Sequence, residues 1–141
     1  MASIVNWNIR GLRANFSELQ ILISDHQPVA ICLQELLISQ QYQFCNRHYS
    51  IITKLPDLDP DARPSGGVGI LIRKDTPYSN LPINSSLQAV ACRISIPNPV
   101  TICSVYLPPT SMWNHLDLLD LLNQLQHPVL LMGDFNAHSA L

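Results

Sequence analysis

Four apolar runs in this sequence end in side chains that can handle charge. SIVNW closes on Asn8, VAICL on the pair Gln34–Glu35, TICSV on Tyr106, and PVLLMG on Asp134 with Asn136 two places on. Two carboxylates (Glu35 and Asp134), carboxamides and a phenol suit a hard cation and a phosphate. The acids would hold the cation by oxygen, and the amides and phenol would hydrogen-bond non-bridging phosphate oxygens. A polar residue ending a strand is ordinarily just where the chain meets water. What lifts these above that reading is shared placement, because strand ends on one rim of a sheet converge in space.

The elements that must position them are legible in the periodicity. Residues 3–8 read as a short strand. In NFSELQILISDHQP (15–28), Phe16, Leu19, Leu22 and Ile23 share a helical face, Asn15 and Glu18 fit an N-terminal capping pair, and Pro28 stops the helix. The apolar run 29–34 is expected to be a strand covered on both faces, so strand, helix and strand open a layered α/β fold. Further strands are expected at 49–53, at VGILIRK, at 88–96 and at 100–107. Val90, Cys92, Ile94 and Ile96 share a face of the third, and PNP makes a hairpin turn into the fourth. Residues 54–67 form a loop rich in proline and aspartate that ends in a glycine pair. HLDLLDLLNQLQ (115–126) is the strongest helix. Leu118, Leu119, Leu122 and Leu125 form its core stripe, and Asp117, Asp120, Asn123 and Gln124 lie largely outside it. PVLLM (128–132) is then a buried strand that delivers GDFNAH (133–138) to an edge of the sheet.

A chain of 141 residues is one domain's worth. Its hydrophobic share of 47% excludes a disordered tail, and its charged share of 13% is about half the globular norm of roughly 25%. So sparse a charge set points to surface meant to be covered. A net charge of -2 argues against a broad electrostatic grip on nucleic acid, but not against a nuclease that neutralises phosphate with a metal ion. Cys32, Cys45, Cys92 and Cys103 lack C-x-x-C spacing and read as small hydrophobes in a reducing compartment. MASIVNWNIR has no signal-peptide pattern, and no run approaches the ~20 apolar residues that span a bilayer. The expected setting is intracellular and soluble, with no membrane partner.

The motifs NWNIRGL, LQE, SGGVGILIR, SVYLPP and GDFNAH follow one another in the order and approximate spacing of the endonuclease/exonuclease/phosphatase superfamily. The chain most closely resembles the apurinic-type endonuclease domain of LINE-like, non-LTR retrotransposons of the jockey group, from about residue 4 to the last residue. The stretch WNIRGLRANFSELQILISDHQPVAICLQE carries most of that likeness. The resemblance implies an α/β fold, the two-sheet sandwich of the DNase I-like type, with residues 1–141 as its N-terminal portion. It implies that Glu35, Asn8 and Asp134 hold Mg²⁺, with Mn²⁺ as a substitute. It further implies that Tyr106 contacts the scissile phosphate, that Asp134 orients or activates the attacking water, and that Asn136 stabilises the transition state. Asn8, Arg10, Tyr106 and Asn136 would meet the phosphate of double-stranded DNA. The nick would prime reverse transcription by a downstream reverse-transcriptase domain, and an active element would work in the nucleus.

Two departures qualify the resemblance. Leu36 stands where related sequences carry Thr or Ser after the glutamate. The S-D-H motif that completes the family's catalytic set has no counterpart here, and such domains run to about 200–250 residues. The sequence therefore carries a second functional expectation, a catalytically dead, truncated remnant of the domain. It also carries a physical one: an apolar sheet face partly uncovered, with poor solubility or self-association. A third reading, a sugar-phosphate or lipid phosphodiesterase, conflicts with residues 7–35.

Other candidates read more plainly. His26 ends a helix, His48, His115 and His127 fall in loops or at helix ends, and His138 is a loop residue beyond Asp134. Gly66, Gly67 and Gly69 do not fit G-x-x-x-x-G-K and mark entry to a strand. Asp57, Asp59 and Asp61 lack the later Gly and Glu of a calcium loop. Arg10 and Arg13 read as solvated surface or as DNA-phosphate contacts, and Arg10 is carried as the latter. Trp7 and Phe135 are expected to be packing wedges.

Overall fold

In a computed structural model, which describes residues 2–109 and 113–136, the chain forms two four-stranded sheets packed face to face. The first contains β1 (Ile4–Asn8), β2 (Ala30–Gln34), β3 (Tyr49–Lys54) and β4 (Val68–Arg73), in the order β1-β2-β4-β3. The second contains β5 (Tyr78–Asn80), β6 (Gln88–Ser95), β7 (Pro99–Tyr106) and β8 (Val129–Asp134), in chain order. Helix α1 (Phe16–His26) links the parallel pair β1 and β2, and α2 (His115–Gln124) links the parallel pair β7 and β8. Each helix thus serves one crossover, as parallel pairing requires.

Alternation along the strands builds three apolar layers. Cys32, Ile70 and Ile72 of the first sheet meet Cys92, Ile94 and Ile102 of the second, with Val90 and Ile96 against them, so the expected inward face of 88–96 is the face between the sheets. Ile31, Leu33 and Leu71 face the other way and pack under Leu19 and Ile23 of α1. Ala89, Ala91, Cys103 and Val105 pack under Leu121 of α2 and Leu125 just after it. Burial pushes the Cys92 and Cys103 thiols up to about 12, so they behave as small hydrophobes. Cys45 is exposed. Among the described residues no helix is long and apolar enough to cross a membrane.

Three local expectations are corrected. Asn15 precedes α1 but makes no side-chain cap, because its amide donates to Ile9 O at 2.6 Å and ties down the loop after β1. The reciprocal capping box forms at α2 instead: Asp117 N donates to Asn114 Oδ1, and Asn114 N to Asp117 Oδ2. The stripe of α2 is rotated slightly from the one expected: Leu118, Leu122 and Leu125 pack on the sheet as expected, but Leu119 does not. Leu121 is buried whereas Leu119 is 53% exposed, since Leu121 stacks one turn before Leu125 on the face that meets the sheet. Strand β8 is not buried: it is the last strand of its sheet, and Leu130 is 43% exposed. The three-residue strand β5 went unanticipated because all of it is exposed.

The helix correction sets the first expected outcome. Leu121→Ala should cost about 2–5 kcal/mol, as a large-to-small change in a packed core, while Leu119→Ala should stay within about 0.5 kcal/mol. Urea denaturation of both variants checks it, and equal losses would refute the observed rotation of α2.

Candidate active site

The strand ends named from sequence meet on one rim. Strands β1 and β2 run parallel with Asn8 opposite Gln34, and β7 and β8 run parallel with Tyr106 opposite Asp134. The two pairs face each other across the sandwich, and β1 is joined to β8 by side chains. Asn8 Nδ2 donates to Asp134 Oδ2 at 2.8 Å, and Asn6 Nδ2 donates to Gly133 O at 3.3 Å. Asn8, Arg10, Glu35, Leu37, Tyr106, Asp134 and Asn136 therefore line one open cleft of about 340 Å³.

The backbone around this cleft is held in an uncommon conformation. Among the described residues, Arg10, Gln27, Glu35, Leu37 and Asn136 are the non-glycine residues with positive φ, and four of these five line the cleft. Left-handed backbone costs a residue with a Cβ roughly 1–2 kcal/mol, so the surrounding bonds must impose it. Gly11 N donates to Glu35 O at 2.8 Å, and Leu12 N to Leu36 O at 2.9 Å. On the other side Leu36 N donates to Gly67 O at 3.1 Å, and Leu37 N to Gly66 O at 3.0 Å. The Glu35 loop is thus clamped between the segments that follow β1 and precede β4.

Asp134 is fixed at both carboxylate oxygens, since Asn136 N donates to its Oδ1 at 3.0 Å. The Asn136 amide in turn donates to Leu107 O at 2.7 Å. Asn8 Oδ1 accepts from Arg10 N at 3.3 Å. The amide nitrogens of Asn8 and Asn136 both donate within the site; Asn8 keeps a second N–H for a ligand, and that of Asn136 faces the Tyr106 phenol. The sequence-level pair Gln34–Glu35 is split. Glu35 lines the cleft, whereas Gln34 is fully buried and donates inward to Asn6 Oδ1 at 2.8 Å and Ser104 Oγ at 3.1 Å.

Burial pushes the Tyr106 phenol above its ordinary value, and the charges of Glu35 and Asp134 push the same way, against a lowering effect of the Asn136 amide. The neutral phenol is favoured in the folded protein. Its contribution to stability is complete below the usual tyrosine value of 10.0 and is lost as pH rises through the folded-state value. A phenol that keeps its proton remains a hydrogen-bond donor at neutral pH. Absorbance titration of Tyr106, isolated by difference against Tyr106→Phe, should give a midpoint above 10.0, and Glu35→Gln should lower it. A midpoint indifferent to Glu35→Gln would separate the two groups.

The donor set is all oxygen: two carboxylates, an amide and a phenol. Among the described residues no three His, Cys, Asp or Glu side chains converge on a metal position. Two carboxylates fit a hard cation such as Mg²⁺, which keeps several waters and takes one or two carboxylates plus phosphate oxygens. They do not fit a closed structural zinc centre.

Sequence reasoning missed Leu37, whose exposed side chain lines the cleft because its φ of 52° turns it outward. No signal in an apolar residue could have revealed that. Phe135 is 37% exposed and is no packing wedge, whereas Trp7 packs on the core beneath α1. His138 lies outside the described residues.

The family model described as Endonuclease/Exonuclease/phosphatase family matches residues 5–141. The RNA-directed DNA polymerase from mobile element jockey of Drosophila melanogaster is 28% identical over 145 residues, covering 95% of this chain and 15% of that protein. The endonuclease domain of TRAS1, a telomere-specific non-LTR retrotransposon, superposes with a TM-score of 0.65 at 16% identity over 96% of this chain and 61% of that one. A 3′ phosphatase from Neisseria, bound to a product DNA hairpin, gives a TM-score of 0.66 at 19% identity, over 94% and 57%. The chain therefore spans about a seventh of the polymerase it matches and less than two thirds of each solved structure. At these identities the structural likenesses establish the two-sheet fold.

Proposed function

Because the chain belongs to the endonuclease/exonuclease/phosphatase family, we propose that it is the N-terminal portion of a Mg²⁺-dependent DNA endonuclease domain from a non-LTR retrotransposon. Its nick in double-stranded DNA would supply the primer for a downstream reverse transcriptase, and it would work in the nucleus. The observation that carries this reading is the convergence of Asn8, Arg10, Glu35, Tyr106, Asp134 and Asn136 on one cleft. The sequence similarity to the jockey polymerase supports the retrotransposon assignment. The outer edges of β1 and β8 lie at the ends of their sheets on the same flank. Further strands there would cover Leu130, in keeping with an N-terminal portion.

Glu35 and Asp134 would hold the cation with help from the Asn8 amide. Bound there, Mg²⁺ would supply charge neutralisation for the pentacovalent phosphate. The remaining work falls to side chains. Asp134, with both oxygens oriented by Asn8 Nδ2 and Asn136 N, would align a water for in-line attack. Tyr106, protonated at neutral pH, would donate to a non-bridging oxygen. Arg10 would meet the neighbouring phosphate, and the Asn136 amide would meet the developing oxyanion.

Incubating supercoiled plasmid with residues 1–141, with and without Mg²⁺, tests the proposal. The expected result is metal-dependent conversion to nicked circles. A chain that binds metal yet never nicks would be the catalytically silent remnant.

A further inference from the structure

Glu35 and Tyr106 stand on different sheets, yet the proposed chemistry needs them at a fixed separation. The backbone bonds around Glu35 come from segments of its own sheet, so something must tie that loop to the sheet that carries Tyr106. Gly67 N donates to the Gln88 side-chain Oε1 at 2.9 Å. Gln88 is the first residue of β6 and the register partner of Tyr106 on β7. A continuous path therefore runs from Tyr106 across one rung to Gln88, through its side chain to Gly67, and from Gly67 O to Leu36 N.

The packing around Gln88 is as specific as its hydrogen bond. Gly66 and Gly67 have φ of 60° and 94°, where a side chain is strained. A Cβ on Gly66 would stand 2.8 Å from Gln88 Oε1 and 3.2 Å from its Nε2, so the amide lies against bare backbone. A Cβ on Gly67 would stand 3.0 Å from Leu55 and 3.4 Å from Leu36. The approach to Gln88 is anchored as well. Lys54 of β3 crosses to the other sheet and donates to Ser85 O at 2.8 Å and Leu87 O at 2.9 Å.

We propose that Gln88 is a positioning residue: through Gly67 it sets the Glu35 loop relative to Tyr106, and so tunes the affinity of the site for a divalent cation. This rests on the reading of Glu35 as a cation ligand. The glycine pair is thereby accounted for as the receiver of a cross-sheet bond. The tie also explains how strained residues at 35 and 37 are held next to an open cleft.

Two substitutions separate the hydrogen bond from the packing. Gln88→Met keeps the length of the side chain against Gly66 and removes the acceptor, and Gln88→Glu keeps an acceptor oxygen. Amide hydrogen exchange, followed by NMR on residues 1–141, should accelerate about tenfold or more at Gly67, Leu36 and Leu37 in Gln88→Met. Exchange in α2 should not change, and Gln88→Glu should restore protection at the three amides. Mn²⁺ affinity, measured by electron paramagnetic resonance, should fall about 10–100-fold in Gln88→Met, the range seen when a group supporting a metal ligand is lost. Wild-type exchange rates at Leu36 and Leu37 in Gln88→Met would overturn the inference, as would accelerated exchange with unchanged Mn²⁺ affinity. Failure of the wild-type chain to bind Mn²⁺ would instead sink the metal-nuclease reading and the cation-tuning claim with it. The exchange rates would still decide whether Gln88 holds the loop.

Discussion

Replacing Gly133 with alanine is expected to lower the stability of this chain by about 3–5 kcal/mol, against a total of about 5–15 kcal/mol for a typical domain. A Cβ at this position would stand 1.9 Å from Val105 O and 2.9 Å from the Val105 carbonyl carbon. Both atoms belong to the backbone of β7, where Val105 is the register partner of Gly133, so no rotamer change relieves the overlap. The strands must separate, and the rung they break adjoins the one that pairs Tyr106 with Asp134. Gly69→Ala is the control. Its Cβ would meet Ile52 O and Leu36 Cδ1 at 3.2 Å, distances that a shift of a few tenths of an ångström relieves, so about 1 kcal/mol is expected. Chemical denaturation of both variants measures the difference. If Gly133→Ala melts like wild type, β8 does not pair with β7 in this register. The glycine of GDFN thus serves strand pairing, next to the aspartate that serves the cleft.

The second large effect concerns activity, and its two variants should differ in stability. Glu35→Gln and Asp134→Asn should each reduce plasmid nicking roughly 10²–10³-fold, the scale on which removal of one charge-stabilising group slows a reaction. Glu35 meets the Tyr106 phenol, and a glutamine can accept from that hydroxyl as well, so its neutralisation should leave the melting point near wild type. Asp134 accepts from Asn8 Nδ2 and Asn136 N on its two oxygens. An asparagine there presents an amide N–H to one of those donors, at a cost of about 1 kcal/mol. Glu35→Gly sharpens the contrast. It relieves a φ of 53° and should match or exceed wild-type stability while nicking no better than Glu35→Gln. Wild-type nicking by both Glu35→Gln and Asp134→Asn would remove these carboxylates from the site.

Much of the fold was legible because its signals are local. The boundaries of β1, β2, β3, β4, β6 and β7 follow apolar alternation or unbroken apolar runs bounded by proline, glycine and polar residues. Helix α1 fell within its expected limits because its apolar spacing and Pro28 do not depend on what packs against them. The rotation of α2 was not legible. Its leucines at 116, 118, 119, 121, 122 and 125 offer more than one stripe, and the sheet beneath them takes Leu121 in place of Leu119 beside Leu118, Leu122 and Leu125. The capping pair expected at Asn15 failed for a similar reason, since the amide found a better acceptor at Ile9 O six residues earlier in the chain.

The sequence by itself determined which side chains stand at strand ends. A period of two places residue types on faces, and a strand must stop where its apolar run stops. Asn8, Glu35, Tyr106, Asp134 and Asn136 could therefore be named before any contact was known. The tertiary structure alone decided how those ends are joined. The Asn8 bond to Asp134 spans 126 positions, Gln88 reaches Gly67 across the gap between sheets, and positive φ turns Glu35 and Leu37 toward the cleft while Gln34 points inward. Such links depend on two sheets meeting at one rim, and residue order along a chain does not encode the distance between strands that close against each other only when the core packs.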